Sequence, residues 1–291
     1  MIAPSSASGL SIGQCASLAC LLEVTASKPG NVHRAADFED LTFLDFATSA
    51  VVIGSVFEGA PRSRLGELVL EAVENTRRAV GSNTNLGTLL LLAPLAMVPR
   101  DQSLKTGVSR VLASLDATDC QLVYDAIRLA QPGGLGSVGE ADVSGPAPAD
   151  LVVAMRLAAE HDLVARQYAG GFSEVLEIVV PRLQYGIERG WPASAAIVHV
   201  HLQMMRDFPD SLIARKCGAA VAEQAAAMAA NVLAAGAPIS EDYQRALGDL
   251  DFWLRADHHR RNPGTTADLL AAGLFALLRD GIIKTPIKFY A

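Results

Sequence analysis

The sequence predicts an all-α fold: a single globular multi-helix domain with one buried central helix. Three observations carry that reading. Apolar residues recur at helical spacing almost throughout, with no alternating run long enough for a half-buried strand. Hydrophobic residues fill 51% of the 291 positions, enough for a large core. No Rossmann or P-loop signature set between a strand and a helix argues for an α/β sheet.

Residues 1–10 read as a tail; Met1 to Gly9 have no basic region followed by an apolar one, so no signal peptide is expected. A helix over 11–26 is stopped by Pro29 and Gly30. Thr42 is placed to cap a helix over 42–57. Over 64–80, Leu65, Leu68, Val69, Ala72, Val73 and Ala79 share one face, with Glu67, Glu71, Glu74 and Arg78 opposite. The helix over 84–98 is apolar nearly all round, as a central helix must be. Its apolar run, 86–98, contains Pro94 and falls short of the roughly 20 residues needed to span a bilayer, so no membrane partner is expected. Helices over 104–115 and 118–130 form a pair. The stretch 131–148, with Pro132-Gly133-Gly134-Leu135-Gly136, reads as a long functional loop and the one internal boundary in a domain spanning 11–291. Helices follow at 149–160, 171–189, 193–207, 211–235, 241–256 and 263–279. The β-prone pieces at 177–180 and 282–283 are too short for strands.

A net charge of −7 argues against a nucleic-acid surface, which needs a basic face. Cys15, Cys20, Cys120 and Cys217 form no Cys-x-x-Cys pair and read as reduced thiols of a cytoplasmic protein. A mean hydropathy of +0.27 fits a buried helical core and leaves room for a homo-oligomer interface.

Against this background stand polar clusters at helix ends: 27–33 (Ser-Lys-Pro-Gly-Asn-Val-His), 81–87 (Gly-Ser-Asn-Thr-Asn-Leu-Gly) and 258–264 (His-His-Arg-Arg-Asn-Pro-Gly). Helix N-termini carry unpaired N–H groups and about half a positive charge, so several of them bearing Lys, Arg, His and Asn suit a polyphosphate. Each cluster also has a plain structural explanation. Lys28 complements a helix C-terminus, Ser82, Asn83 or Thr84 caps the buried helix, and Asn262 with Pro263 begins the last one. A fourth cluster has Asp210 capping a helix, with Arg215 and Lys216 one turn on. His161, His199 and His201 read as ordinary.

The order Glu23…Lys28-Pro29-Gly30, Gly81-Ser82-Asn83-Thr84-x-x-Gly87, Asp210-Ser211-x-x-x-Arg215-Lys216-x-Gly218 and Asn262-Pro263-Gly264-x-x-Ala267-Asp268-Leu269 resembles the triphosphoribosyl-dephospho-CoA synthase family. The resemblance runs from about Leu18 to the final helix. It implies an all-α enzyme in which the ribose 2′-hydroxyl of dephospho-CoA attacks C1 of the ribose of ATP, adenine leaves and the triphosphate stays attached. Two motifs depart from the family pattern. Where Asn-Thr-His-Lys-Gly is usual, this chain has Asn83-Thr84-Asn85-Leu86-Gly87; where Lys-Pro-Gly-Leu-Val-Asp is usual, it has Lys28-Pro29-Gly30-Asn31-Val32-His33. It is similar to a divergent branch found with methanopterin-type one-carbon metabolism, whose acceptor differs.

Under this resemblance Lys28, Arg215 and Lys216 are expected on phosphates, with Gly30, Asn31, Asn83, Thr84, Asn85, Gly87, His259, Asn262 and Gly264 completing the substrate site. Glu23, Asp210 and Asp268 are the candidates for acid–base work or for Mg²⁺, the expected cofactor, because an oxocarbenium-like state wants a nearby carboxylate and a triphosphate wants a hard cation. His33 is expected to stand in for the missing carboxylate, moving the pH optimum toward its titration range. The expected partners are ATP and dephospho-CoA or a related small acceptor. The alternatives are an enzyme of tetrahydromethanopterin-type cofactor synthesis, a Mg²⁺-dependent N-glycoside hydrolase, and a non-catalytic nucleotide-binding protein.

Overall fold

The computed structural model describes residues 9–132 and 142–290 and places fourteen α-helices among them. In chain order these are α1 (Ile12–Thr25), α2 (Phe43–Phe57), α3 (Leu65–Val80), α4 (Leu86–Met97), α5 (Leu104–Ala113), α6 (Ala117–Ala130) and α7 (Leu151–Ala158). Then come α8 (Leu163–Gly170), α9 (Val180–Glu188), α10 (Ala193–Asp207), α11 (Ser211–Cys217), α12 (Ala219–Ala234), α13 (Glu241–Arg255) and α14 (Gly264–Arg279). No strand occurs among the described residues; the only β pairing there is the isolated bridge His33–Ala36. The all-α expectation holds. The glycine-rich centre of the 131–148 loop and most of the 1–10 tail lie outside the described residues.

Short side chains start several helices, Thr42 among them as the sequence suggests. Ser11, Thr42 and Asp116 each accept from the backbone three residues on, while Gln14, Asp45 and Asp119 reach back to the cap: three reciprocal capping boxes. Three boundaries differ from expectation. An unexpected helix, α8, begins at Asp162, whose carboxylate accepts from Val164 and Ala165 N–H. The expected helix over 171–189 is two pieces: a π-helical turn, Glu174–Val179, leads into α9. Gln167, fully buried, holds this junction, donating to Leu163 O and Glu174 Oε2 and accepting from Val175 N. The expected helix over 211–235 breaks at Gly218, whose φ of 95° and ψ of 156° turn the chain between α11 and α12.

α4 is the buried central helix foreseen, with Thr88 to Ala96 all enclosed. Its Pro94 cannot donate to Leu90 O one turn back; the buried Tyr168 hydroxyl does so instead, at 2.7 Å. A second helix is just as enclosed. Every residue of α14 from Leu269 to Arg279 is buried, and it packs on α1, α4, α8, α9, α10 and α11. Its last residue, Arg279, donates to the carbonyls of Val98, Pro99 and Gln102, tying α14 to the end of α4. One hydrophobic cluster runs from Ile12 to Ile283, and within it α14 packs on both α1 and α4. None of the helices described is long and apolar enough to cross a membrane.

Candidate active site

A cleft of about 800 Å³ opens where the last turn of α1, the 81–87 turn, α11 and the first turns of α14 converge, with α6, α7 and α8 as the remaining wall. Four separated polar stretches therefore face one space. Of the residues singled out from sequence, Glu23, Asn31, Asn83, Thr84, Asn85, Gly87, Arg215, Lys216, Asn262, Gly264 and Asp268 line it. Lys28, Gly30, His33, Asp210 and His259 do not.

At the centre are Glu23 and Asp268. Asp268 stands half-buried on the second turn of α14 and accepts from Thr88 Oγ1 at 2.6 Å. Burial raises its pKa to about 8, and the neighbouring carboxylates Glu23, Asp210 and Asp162 add to the effect. Gly87 makes this placement sterically feasible, because a Cβ there would lie 2.1 Å from Asp268 Oδ2. The first turn of α4 thus supplies both the space for the carboxylate and the hydroxyl that holds it.

Glu23 is oriented by Lys28. The Lys28 ammonium is wholly enclosed, 2.8 Å from Glu23 Oε1 and 2.5 Å from Glu23 O, with Ala26 O at 3.4 Å. Its three protons are thereby used, so it braces Glu23 from behind and does not face the cleft. Gly30 follows at φ 73°, its N–H on Asp251 Oδ1 at 2.8 Å and its Cα face against Leu254. His33 is also enclosed. Burial, then the positive Arg255 and Lys28, lower its pKa to about 4, which leaves its ring neutral at physiological pH and its titration far from the range expected for a replaced carboxylate.

Asp210 is a structural joint. Its Oδ1 accepts from Leu212 and Ile213 N–H at 2.9 and 3.1 Å, and its Oδ2 from Thr266 N and Oγ1 at 2.7 and 2.8 Å. One fully buried carboxylate therefore ties the start of α11 to the start of α14, and burial raises its pKa. The expected cap Asn262 does not cap α14: it lies before Pro263 and accepts from Asn31 Nδ2. His259 stacks on Phe38 at 4.5 Å and points its Nε2 at Asp40.

Arg215 and Lys216 form the cationic side of the cleft. Arg215 pairs with Asp162, while the Lys216 ammonium makes no hydrogen bond or ion pair among the described residues; burial and the adjacent Arg215 lower its pKa. The Asn85 side chain likewise has no hydrogen-bond partner among the described residues, whereas Thr84 is tied to Ser49 at 2.7 Å and Asn83 Oδ1 to Leu86 N at 3.1 Å. The structure adds cleft residues that sequence reading passed over: Cys20, Thr88, Arg128, His161 and Asp162. Asp162 carried a usable signal, as an N-cap residue before an apolar run. Cys20 and Thr88 carried none, being single small residues in apolar helices.

A family model described as CitG, ATP:dephospho-CoA triphosphoribosyl transferase, matches residues 10–285. The chain belongs to this family. No curated protein matches it. Among solved structures, this triphosphoribosyl transferase relative is similar to a protein from Archaeoglobus fulgidus provisionally described as a triphosphoribosyl-dephospho-CoA synthase, at 27% identity and a TM-score of 0.63, over 80% of this chain and 98% of that one. The family match takes in α1 through α14 and hence every wall of the cleft.

Proposed function

We propose that this enzyme moves the triphosphoribosyl group of ATP to the 2′-hydroxyl of dephospho-CoA. The bond from ribose C1 to the adenine nitrogen breaks, a bond from C1 to the acceptor oxygen forms, and overall the hydroxyl loses one proton while adenine gains one. The observation that carries the reading is the cleft itself, which sets a carboxylate pair on one set of helix ends against Arg215 and Lys216 on another.

Asp268 holds a proton at neutral pH, so it is the acid that can hand one to the departing base. Glu23, braced by Lys28, is the carboxylate that faces the positive charge growing at C1 and takes the hydroxyl proton. Lys216, Arg215 and the amide of Asn85 hold phosphate oxygens. Mg²⁺ fits the Glu23 carboxylate, a hard oxygen donor on the cleft wall that would hold the ion together with phosphate oxygens and waters, while Asp268 keeps its proton as the acid and Asp210 has its oxygens fully engaged. Among the described residues no three His, Cys, Asp or Glu side chains form a metal cage. Bound there, Mg²⁺ would neutralise triphosphate charge. The same reading puts the enzyme in the cytoplasm, where ATP is available.

One observation favours a modified acceptor. Asn85 and Leu86, which stand where the resemblance leads one to look for His and Lys, both line the cleft. The deciding experiment is adenine release from ATP and Mg²⁺, followed by liquid chromatography with and without dephospho-CoA. Acceptor-dependent adenine and a product of matching mass support the proposal. Adenine released equally without acceptor would make the enzyme an N-glycoside hydrolase. ATP binding with no adenine released, whether with dephospho-CoA or with one-carbon-carrier intermediates, would refute the transfer.

A further inference from the structure

Asn31 and Asn262 come from opposite ends of the chain and meet in the cleft wall. Asn31 is only 6% exposed, yet its Oδ1 is enclosed and has no hydrogen-bond partner among the described residues. Its Nδ2 donates to Asn262 Oδ1 at 2.5 Å. That bond ties the two amides to each other, since reversing Asn31 alone would bring two carbonyl oxygens together, and in either joint orientation the pair leaves one acceptor and one donor over. The backbones are held as firmly: Arg255 donates to Asn31 O, while Asn262 N donates to His259 O and Gly264 N donates to Asn262 O. What the pair leaves over is one acceptor, Asn31 Oδ1, and, on the amide bonded to it, the Asn262 nitrogen, which makes no hydrogen bond with any described residue. A buried acceptor without a partner is rare in a native fold unless something else supplies the donor.

An acceptor next to a donor is the complement of an adenine edge, on which the N6 amine donates beside a ring nitrogen that accepts. We infer that the Asn31–Asn262 pair is a specificity-determining element that reads the edge of an adenine base in this cleft. The inference rests on the transferase reading, in which both substrates carry adenine; the chemistry is shared, and the base belongs either to ATP or to dephospho-CoA.

Calorimetric titration of ATP, purine riboside triphosphate (which lacks the N6 amine), dephospho-CoA and inorganic tripolyphosphate, with Mg²⁺, into wild type and Asn31→Leu tests it. If the base is that of ATP, wild type binds purine riboside triphosphate about tenfold more weakly than ATP, and Asn31→Leu binds both at the weaker level. If the base is that of dephospho-CoA, ATP binding is the same in both proteins and dephospho-CoA weakens about tenfold in the variant. Tripolyphosphate is unaffected in either case. Unchanged affinities for all four, or an equal loss for all four, overturn the inference. Should Asn31→Leu fail to fold, wild type alone decides: equal binding of ATP and purine riboside triphosphate, and of dephospho-CoA and its deaminated analogue, overturns it. Wild type that releases adenine but shows no such discrimination sinks this inference alone. Wild type that binds neither adenine ligand removes the transferase reading and this inference with it.

Discussion

Lys28 shows how a residue's place in a sequence motif differs from its place in a site. A lysine beside Pro-Gly at a helix end reads as a phosphate ligand, yet its ammonium is spent on Glu23 and two carbonyls. Nothing local tells the two roles apart; the difference lies in how α1 is enclosed by other helices, which sequence spacing does not report. Replacing Lys28 with Met is expected to cost about 2–3 kcal/mol in urea unfolding, because one partner of a largely buried pair is removed. Adenine release should fall with it; a raised KM for ATP at unchanged stability would instead restore the phosphate role. Asp268 makes the second residue-scale prediction. Its pKa is raised, so the folded state holds a proton that the unfolded chain has released above about pH 4. Stability therefore declines as pH rises from about 4 to 8. Asp268→Asn should flatten that decline in thermal unfolding without nucleotide or Mg²⁺, and should lower adenine release by roughly 100-fold at neutral pH. A variant with full activity would remove Asp268 from the reaction.

Elements deliver these side chains. Most were legible because each helix writes its own signals: Thr42 caps, Pro29 and Gly30 stop, and apolar spacing marks the buried face. The failures have local causes too. α8 has eight residues, too few for periodicity to stand out, and the π-helical turn before α9 keeps helical spacing while shifting the register. Gly218 was visible as a glycine, but only its φ of 95° shows that it ends one helix and starts another. Of the site, the four polar stretches could be read from the chain, and the family resemblance implied that they serve one substrate. That Gly87 serves Asp268 could not, since the two are 181 residues apart and touch only once α4 meets α14. Gly87→Ala tests that meeting. Its methyl group displaces the carboxylate from Thr88, so kcat should drop on the order of 100-fold while the melting temperature changes little. An unaffected kcat would show that Asp268 does not need this position.

For the molecule as a whole, α14 is the unanticipated centre, the second largely buried helix beside α4. Because α1, α4, α11 and α14 share one hydrophobic cluster and each gives the cleft a wall, the site should have no existence apart from the fold. Urea titrations followed by adenine release and by circular dichroism should therefore share a midpoint; activity lost well before helicity would mean that the cleft opens independently. The joint role of α14 also has a consequence for biosynthesis. Glu23 and Lys28 are five residues apart and can find each other while the chain is still being made, whereas Asp268 and the Thr266 contact with Asp210 come from the last helix. Until that helix leaves the ribosome, the groove it fills, lined by α1 and α4, stays open and greasy. Any product that stops before α14 has no cleft and is a natural client for chaperones or proteases, so the cell is spared a half-made enzyme that could sequester nucleotide without turning it over.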